Sequence, residues 1–585
     1  MGQQPTRRQF LASAAECGMG LAAWGGYGTN EGVAARGRVF EVAAFGAVGD
    51  GCSDDRAAIQ AAIAAGCQAG PGSRVVFAPG KTYRLAPRPE NFGALMIGAA
   101  RGLVLDGRGA TLLADPSNRI LALHDSQQIT VQDFQLDYAP LPFTQAELTG
   151  VDVPRGQVRL RVASGYAEPA IGGSEIYRDS KFSDCVFLDG DRHRFTHAWL
   201  RVRRVESVGR GEYRLAFHGD RRRLTNALQG QRPGDGIGLK MPFPPGILGR
   251  NAAGRYLATG VANINIAFCQ GVQLQRITSF AAPNMTFNAH GSEAVVLRQC
   301  QVRRKPGTDR LIAGNSDGCH LKSLTTMPCL EDCYFEALMD DSIHIKISSN
   351  VVTQSRGRRV RLNHGDIAYN DVVLEPGQDL SFYGWEQRRH LGFAEVVAVE
   401  RTRYRQVWVT LDRSLPELSE GDLAFPRPLT EARVIRCDFE SQLKTAVLLR
   451  PPGVVRECTF AGVAYGVHAF FNDRIEGPVP FGIHVRDCDF HQPWIAGVAT
   501  SLPHRDAAPP DTHGLTVEDS RFVIGRGPGR AIVANRQNGV SLRDLTVTTQ
   551  EERDPQTLIE LRDCHNVEQL RTRWKAADAA GHPTA

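Results

Sequence analysis

Short apolar/polar alternations recur along the chain, each broken by a polar turn pair and then resumed. They read Val295-Val-Leu-Arg-Gln-Cys300, Cys329-Leu-Glu-Asp-Cys333-Tyr-Phe335, Val434-Ile-Arg-Cys437-Asp-Phe439, Val455-Arg-Glu-Cys458-Thr-Phe460 and Val485-Arg-Asp-Cys488-Asp-Phe490. Val517-Glu-Asp-Ser520-Arg-Phe522 and Leu542-Arg-Asp-Leu545-Thr-Val547 continue the series without the Cys, and Ile129 to Leu136 and Val272 to Ile277 are weaker early copies. The spacings between positions 437, 458, 488, 520 and 545 are 21, 30, 32 and 25 residues. The period of each segment is two, and no helical period runs through the series.

A repeat of this length built from short strands predicts an all-β fold, a right-handed parallel β-helix wound as a single-stranded solenoid. Coils stack at about 4.8 Å, so equivalent positions form ladders up the interior. Cys300, Cys333, Cys437, Cys458 and Cys488 are then buried, unpaired ladder residues. Ser53 is the expected N-cap of a helix carrying Ile59 and Ile63 on one face, which covers the open end of the solenoid. Two stretches break the repeat, 148–258 and 350–427, and both alternate like antiparallel strands between glycine-rich turns. Each predicts a small inserted β-barrel. The remaining divisions are a cap and first coils at 36–147, site-bearing coils at 259–349, last coils at 428–575 and a disordered tail at 576–585.

Composition narrows the partners. The chain has 585 residues, 22% charged and 42% hydrophobic, with a formal charge of +5. That near balance gives no reason to expect nucleic acid, and no apolar run of about 20 residues predicts a membrane span. Thr6-Arg7-Arg8-Gln9-Phe10-Leu11 followed by small apolar residues resembles a twin-arginine export signal over 1–35, with Glu16 out of place in it. The expected location is the periplasm or outside the cell. No nucleotide, flavin or metal motif is present, so no cofactor and no metal is expected, and a homodimer is compatible with the sequence.

The chemistry concentrates in two neighbouring repeats. Asn315-Ser-Asp317-Gly-Cys-His320-Leu-Lys322 superposes on Asp340-Asp341-Ser-Ile343-His344-Ile345-Lys346 at an offset of 24, one coil. Alternation sends Cys319, Leu321, Ile343, Ile345 and Ile347 inward, and His320, Lys322, His344 and Lys346 outward on one face. Asp317, Asp340 and Asp341 lie where those strands begin. Glycoside hydrolysis needs such a set: one carboxyl protonates the leaving oxygen, another activates water. Crowded carboxylates also push each other's pKa values apart. Asn315, His320, His344, Lys322 and Lys346 are the candidate sugar contacts, with His290 and the aromatic pair Tyr383 and Trp385 as further candidates.

Asn-x-Asp on one coil and Asp-Asp on the next resembles the polygalacturonases of glycoside hydrolase family 28. The Arg-x-Lys of that family has only Arg573-Trp-Lys575 here, too late in the chain. From Phe45 to the last coils the chain is more similar to glycoside hydrolase family 110, the bacterial exo-α-1,3-galactosidases. Asp137-Tyr-Ala-Pro140-Leu-Pro-Phe-Thr-Gln145, the two inserts and the three aspartates carry that resemblance. It implies metal-independent inversion, with Asp317, Asp340 and Asp341 as the catalytic carboxylates on a carbohydrate substrate. One of the Asp340/Asp341 pair is expected to be the acid, with Asp317 and the other positioning water. Inversion predicts carboxyl groups about 6.5–9.5 Å apart. The competing readings are a lyase using an acidic Ca²⁺ cluster with Lys322 or Lys346 as base, and a carbohydrate-binding β-helix without turnover.

Overall fold

The computed structural model describes residues 37–87, 93–172, 184–190, 194–240, 262–364, 374–403, 406–471, 476–509 and 512–576. The segment 1–35, expected to be an export signal, and the residues beyond 576 lie outside them. The described strands form one long stack of parallel pairs and two closed six-stranded barrels. The stack is a parallel β-helix.

Each coil corner explains the polar pair in the repeat. The residue just before each ladder Cys adopts a left-handed backbone: Gln299, Asp332, Arg436, Glu457 and Asp487 all have φ between 49° and 61°. One such residue turns the chain between two strands, and its side chain points to solvent, so it is polar. The next residue turns inward. Cys300, Cys333, Cys437, Cys458 and Cys488 are buried and free of disulfides. Their thiols donate to backbone, as in Cys488 Sγ to Arg486 O at 3.2 Å. Ser520 continues the column, donating to Glu518 O at 2.8 Å. Two residues on, Phe335, Phe439, Phe460, Phe490 and Phe522 stack face to face, at centroid separations from 4.6 to 5.6 Å. That spacing is set by the coil rise.

At the N-terminal end, a helix over Arg56–Ala69 buries Ile59 and Ile63 against the first strands. Its N-cap is Asp55 and not Ser53. Ser53 bonds Asp50 instead, at 2.8 Å from Oγ. Asp55 turns away from the helix and accepts from Val48 N and Gly49 N at 2.6 and 3.0 Å, tying down the preceding loop.

The first barrel begins at Phe143, inside the stretch assigned to the coils, and its last strand is Gly236–Lys240. Gln145 fastens its entry: Nε2 donates to Asp309 O, and Oε1 accepts from Leu311 N, both at 2.8 Å. The buried Asp137 carboxylate, just before the entry, is held by Arg310 and Lys305 at 2.8 to 3.0 Å. The Asp137–Gln145 motif is therefore a structural junction. The second barrel runs from Asn350 to Pro426. Its Tyr383, Leu423 and Phe425 pack with Val479, Leu502 and Ala507 of the later coils.

Candidate active site

Registers in the stack build the site. Cys319 pairs with Ile343, His320 with His344 and Lys322 with Lys346, so Asp317 and Asp341 occupy equivalent places one coil apart. Gly318 beside Asp317 permits this approach. A Cβ there would stand 2.6 Å from Ser342 O and 2.7 Å from the Phe335 ring. One oxygen from each of Asp317, Asp340 and Asp341 lies within 4.8 Å of the others. This is tighter than the spacing expected for inversion, because adjacent coils hold their side chains at the coil rise. This spacing does not support the separation expected for inversion.

The trio sits in a cavity of about 1130 Å³. The first barrel supplies one wall with Asp189, Arg194, Phe195 and Trp199, and the coils supply the floor with Met285, Asp317, Asp341, Thr445 and Tyr465. Lys444 Nζ holds Asp340 Oδ1 at 2.9 Å, and Thr445 N donates to Asp341 Oδ1 at 3.0 Å. Sequence reasoning missed both, although Ile343 pairs with Val447, so Lys444 and Thr445 are the next-coil equivalents of Asp340 and Asp341. The second barrel separates these coils in sequence and hides the repeat.

Glu476 was also missed. It lies on a two-residue strand, Glu476–Gly477, laid antiparallel on Ile347 and Ser348. Phe425 packs so closely on Gly477 that a Cβ would meet the ring at 2.2 Å. Glu476 accepts from Lys346 at 2.7 Å and Arg450 at 2.9 Å, and stands 3.6 Å from His344 Nε2.

Charge is distributed unevenly. Burial, then the Asp340 charge, pushes the Asp317 carboxyl well above its ordinary range. Burial and the charges of Asp340 and Asp317 do the same to Asp341. Burial raises Asp340 too, but Lys444 and Lys240 outweigh it and leave that carboxyl below its ordinary value. Burial holds the His320 and His344 imidazoles well below theirs, so both are neutral. His320 Nδ1 stands 2.5 Å from Asp317 Oδ2. The proton of this hydrogen bond belongs to the imidazole or to the carboxyl according to the tautomer and protonation of the pair. Burial raises the Glu476 carboxyl, but His344, Lys346 and Arg450 bring it well below its ordinary value, so it is ionised.

Of the expected sugar contacts, His320 and His344 line the cavity, as do all three aspartates. The others do not. Asn315 is buried with its amide on Pro142 O and Pro283 O at 2.8 and 3.3 Å, so it fastens the barrel entry. Lys346 is committed to Glu476. Lys322 is buried one register step beyond His320, beside His290. His290 is itself covered by the Phe268 ring at 5.4 Å. The face expected to be outward is outside the solenoid, but inserted elements cover it. Tyr383 and Trp385 belong to the packing between second barrel and coils, and line no part of the cavity. As for a metal, two donor sets converge here: the aspartate trio, and Asp317 with His320 and His344.

The sequence profile of the family described as Rhamnogalacturonase A/epimerase, pectate lyase-like matches residues 39–115. Alpha-1,3-galactosidase A of Bacteroides fragilis is 19% identical over 380 residues, 63% of this chain and 59% of that protein. A second strain's enzyme of that name is 19% identical over 57% of this chain and 53% of its own length. The chain thus spans between half and three fifths of the curated galactosidases it matches. Mannuronan C5-epimerase AlgE1 of Azotobacter vinelandii is 47% identical over 76 residues, 13% of this chain and 5% of that protein. A solved exopolygalacturonase from Thermotoga maritima aligns over 92% of both chains at 12% identity and a TM-score of 0.38, a loose likeness. In sequence, then, the chain is similar to α-1,3-galactosidase A along about three fifths of its length and, over residues 39–115, to a pectate-lyase-like family.

Proposed function

We propose that the protein is an exo-acting inverting glycoside hydrolase that removes terminal α-1,3-linked galactose. The observation that carries this reading is the aspartate trio on two adjacent coils, on the floor of a walled cavity, with one carboxylate paired to Lys444. The similarity to α-1,3-galactosidase A supports the choice of sugar and linkage.

Register favours one division of roles. Asp317 and Asp341 are equivalent residues one coil apart, so a single water can be held by both. Asp340 stands out of that pair, and 27% of its side chain is exposed to the cavity. By register it is the candidate proton donor to the glycosidic oxygen. Charge points the other way, since Lys444 favours the ionised form of Asp340, while burial and the neighbouring carboxylates favour the protonated form of Asp341. Register and charge thus favour different donors, since a ring that displaces water strengthens the Lys444–Asp340 pair. Leaving-group dependence separates the two assignments. Asp340→Asn is expected to keep more activity on 4-nitrophenyl α-galactoside, whose leaving group needs no proton, than on a disaccharide. If Asp341→Asn shows that pattern instead, the roles are exchanged.

Proton NMR of the first product tests stereochemistry: β-galactose is expected, and α-galactose released first would rule out inversion. A metal-dependent lyase is the second reading, favoured by the convergence of the three carboxylates. It predicts an ultraviolet-absorbing unsaturated product and loss of activity with chelator.

A further inference from the structure

The cavity is lopsided about its carboxylates. Among the described residues, the coils before Asp317 line it only with Met285, while Ser316 and Asp317 begin the next coil. On the other side it crosses four successive coils, lined around Lys444, Tyr465, Trp494 and Arg526. The pairings Val447 with Val467, Tyr465 with Ala496 and Ala496 with Arg530 put these coils in sequence along the axis. Four coils beyond Asp340 add roughly 19 Å. Beside the trio, Trp199 of the barrel wall lies over the Lys444 ammonium at 5.6 Å.

The lining of the long arm has a definite chemistry. Tyr465 stacks on His468 at 4.1 Å, and His468 stacks on Phe470 at 4.4 Å. Trp494 follows one coil on, and Ile495 beside it is 42% exposed, unusual for an isoleucine in these coils. Gln492 and Gln550 supply amides. From Gly462 onward the charged lining residues are Arg526 and Glu476, and Glu476 is already ion-paired with Lys346 and Arg450. Aromatic and apolar faces with neutral amides suit the faces and hydroxyls of uncharged sugar rings. A polyuronate would need a row of cations.

We propose that this arm is an extended leaving-group site for a neutral oligosaccharide several rings long, with the ring to be removed held at the aspartate trio. This rests on the hydrolase reading above and adds the size and charge of the substrate. The trio then meets the end of a chain whose remainder lies along the coils of Tyr465, Trp494 and Arg526. Binding energy from those remote rings can be used at the reacting bond.

The test uses the full chain and a length series: α-1,3-linked galactobiose, galactotriose and galactotetraose, with 4-nitrophenyl α-galactoside as reference. We expect kcat/KM to rise roughly tenfold or more from the disaccharide to the tetrasaccharide. Trp494→Ala should flatten that rise, and Ile495→Ser, at an exposed position, should reduce it without risk to folding. Turnover with no dependence on length overturns the extended site and leaves the hydrolase reading standing. If nothing is hydrolysed, the hydrolase reading falls, and calorimetric titration decides the site. Tighter binding of galactotetraose than of tri-galacturonate, weakened by Trp494→Ala, supports it; preference for tri-galacturonate overturns it.

Discussion

The two inserted barrels have the same architecture, six antiparallel strands closed on their own apolar core, yet they meet the site in different ways. The first touches the cavity directly through Asp189, Arg194, Phe195 and Trp199. Its Lys240 also helps keep Asp340 ionised. The second contributes no lining residue among those described. It presses Phe425 onto Gly477 and so fixes the strand that delivers Glu476 to Lys346, Arg450 and His344. One barrel is a wall and the other a clamp. The same barrel architecture acquires different roles from where the solenoid attaches it.

Variants can break this comparison. The largest effect should come from the trio that both barrels serve: Asp317→Asn, Asp340→Asn and Asp341→Asn should each lower kcat on an oligosaccharide roughly 10²–10⁴-fold with an unchanged circular dichroism spectrum. Next, Phe425→Ala should cost about 3–5 kcal/mol in chemical denaturation, since it empties a buried ring site. A stable Phe425→Ala protein would refute the clamp. Trp199→Ala should do the opposite, leaving the unfolding midpoint near wild type and lowering kcat/KM roughly tenfold through the lost wall contact. A fall in stability without loss of activity would make that wall structural only.

The last effect appears only on acidification. Burial, then Arg450, brings the His468 imidazole down to about 3. Burial, then Arg427, brings His390 in the second barrel down to about 4. Both are neutral when folded, whereas an unfolded His takes up a proton below its ordinary value of 6.5. Their stability contribution is therefore complete above 6.5 and is lost as pH falls toward the folded values. For the half-buried His468 the slope is at most about 1.4 kcal/mol per pH unit. His468→Gln should flatten the stability curve between pH 6.5 and about 3, and His390→Gln between 6.5 and about 4. Urea titrations across that range measure both.

Much of the solenoid was legible because its repeat is local. A polar residue that must turn outward and a small residue that must turn inward recur at every corner, and period-two alternation fills the strands between. The alignment of Asp317 with Asp341 followed from the same logic. Lys444 and Glu476 were illegible for two physical reasons. Lys444 is on the coil directly after Asp340, but 104 positions away in sequence because a barrel intervenes. Glu476 reaches the site on a two-residue antiparallel bridge with no periodicity to read. Asn315 and Lys346 were misread as sugar contacts because alternation gives a side chain's direction and says nothing of what covers it.

The sequence by itself determined the parallel coils, the ladders, the existence of two inserts and the convergence of three carboxylates, since each follows from short-range alternation and register. Only the tertiary structure decided which insert walls the cavity, which charges set the protonation of the trio, and that the cavity extends over the later coils. Those features depend on contacts between segments far apart in the chain, where burial and electrostatic fields are sums over neighbours that no local pattern encodes.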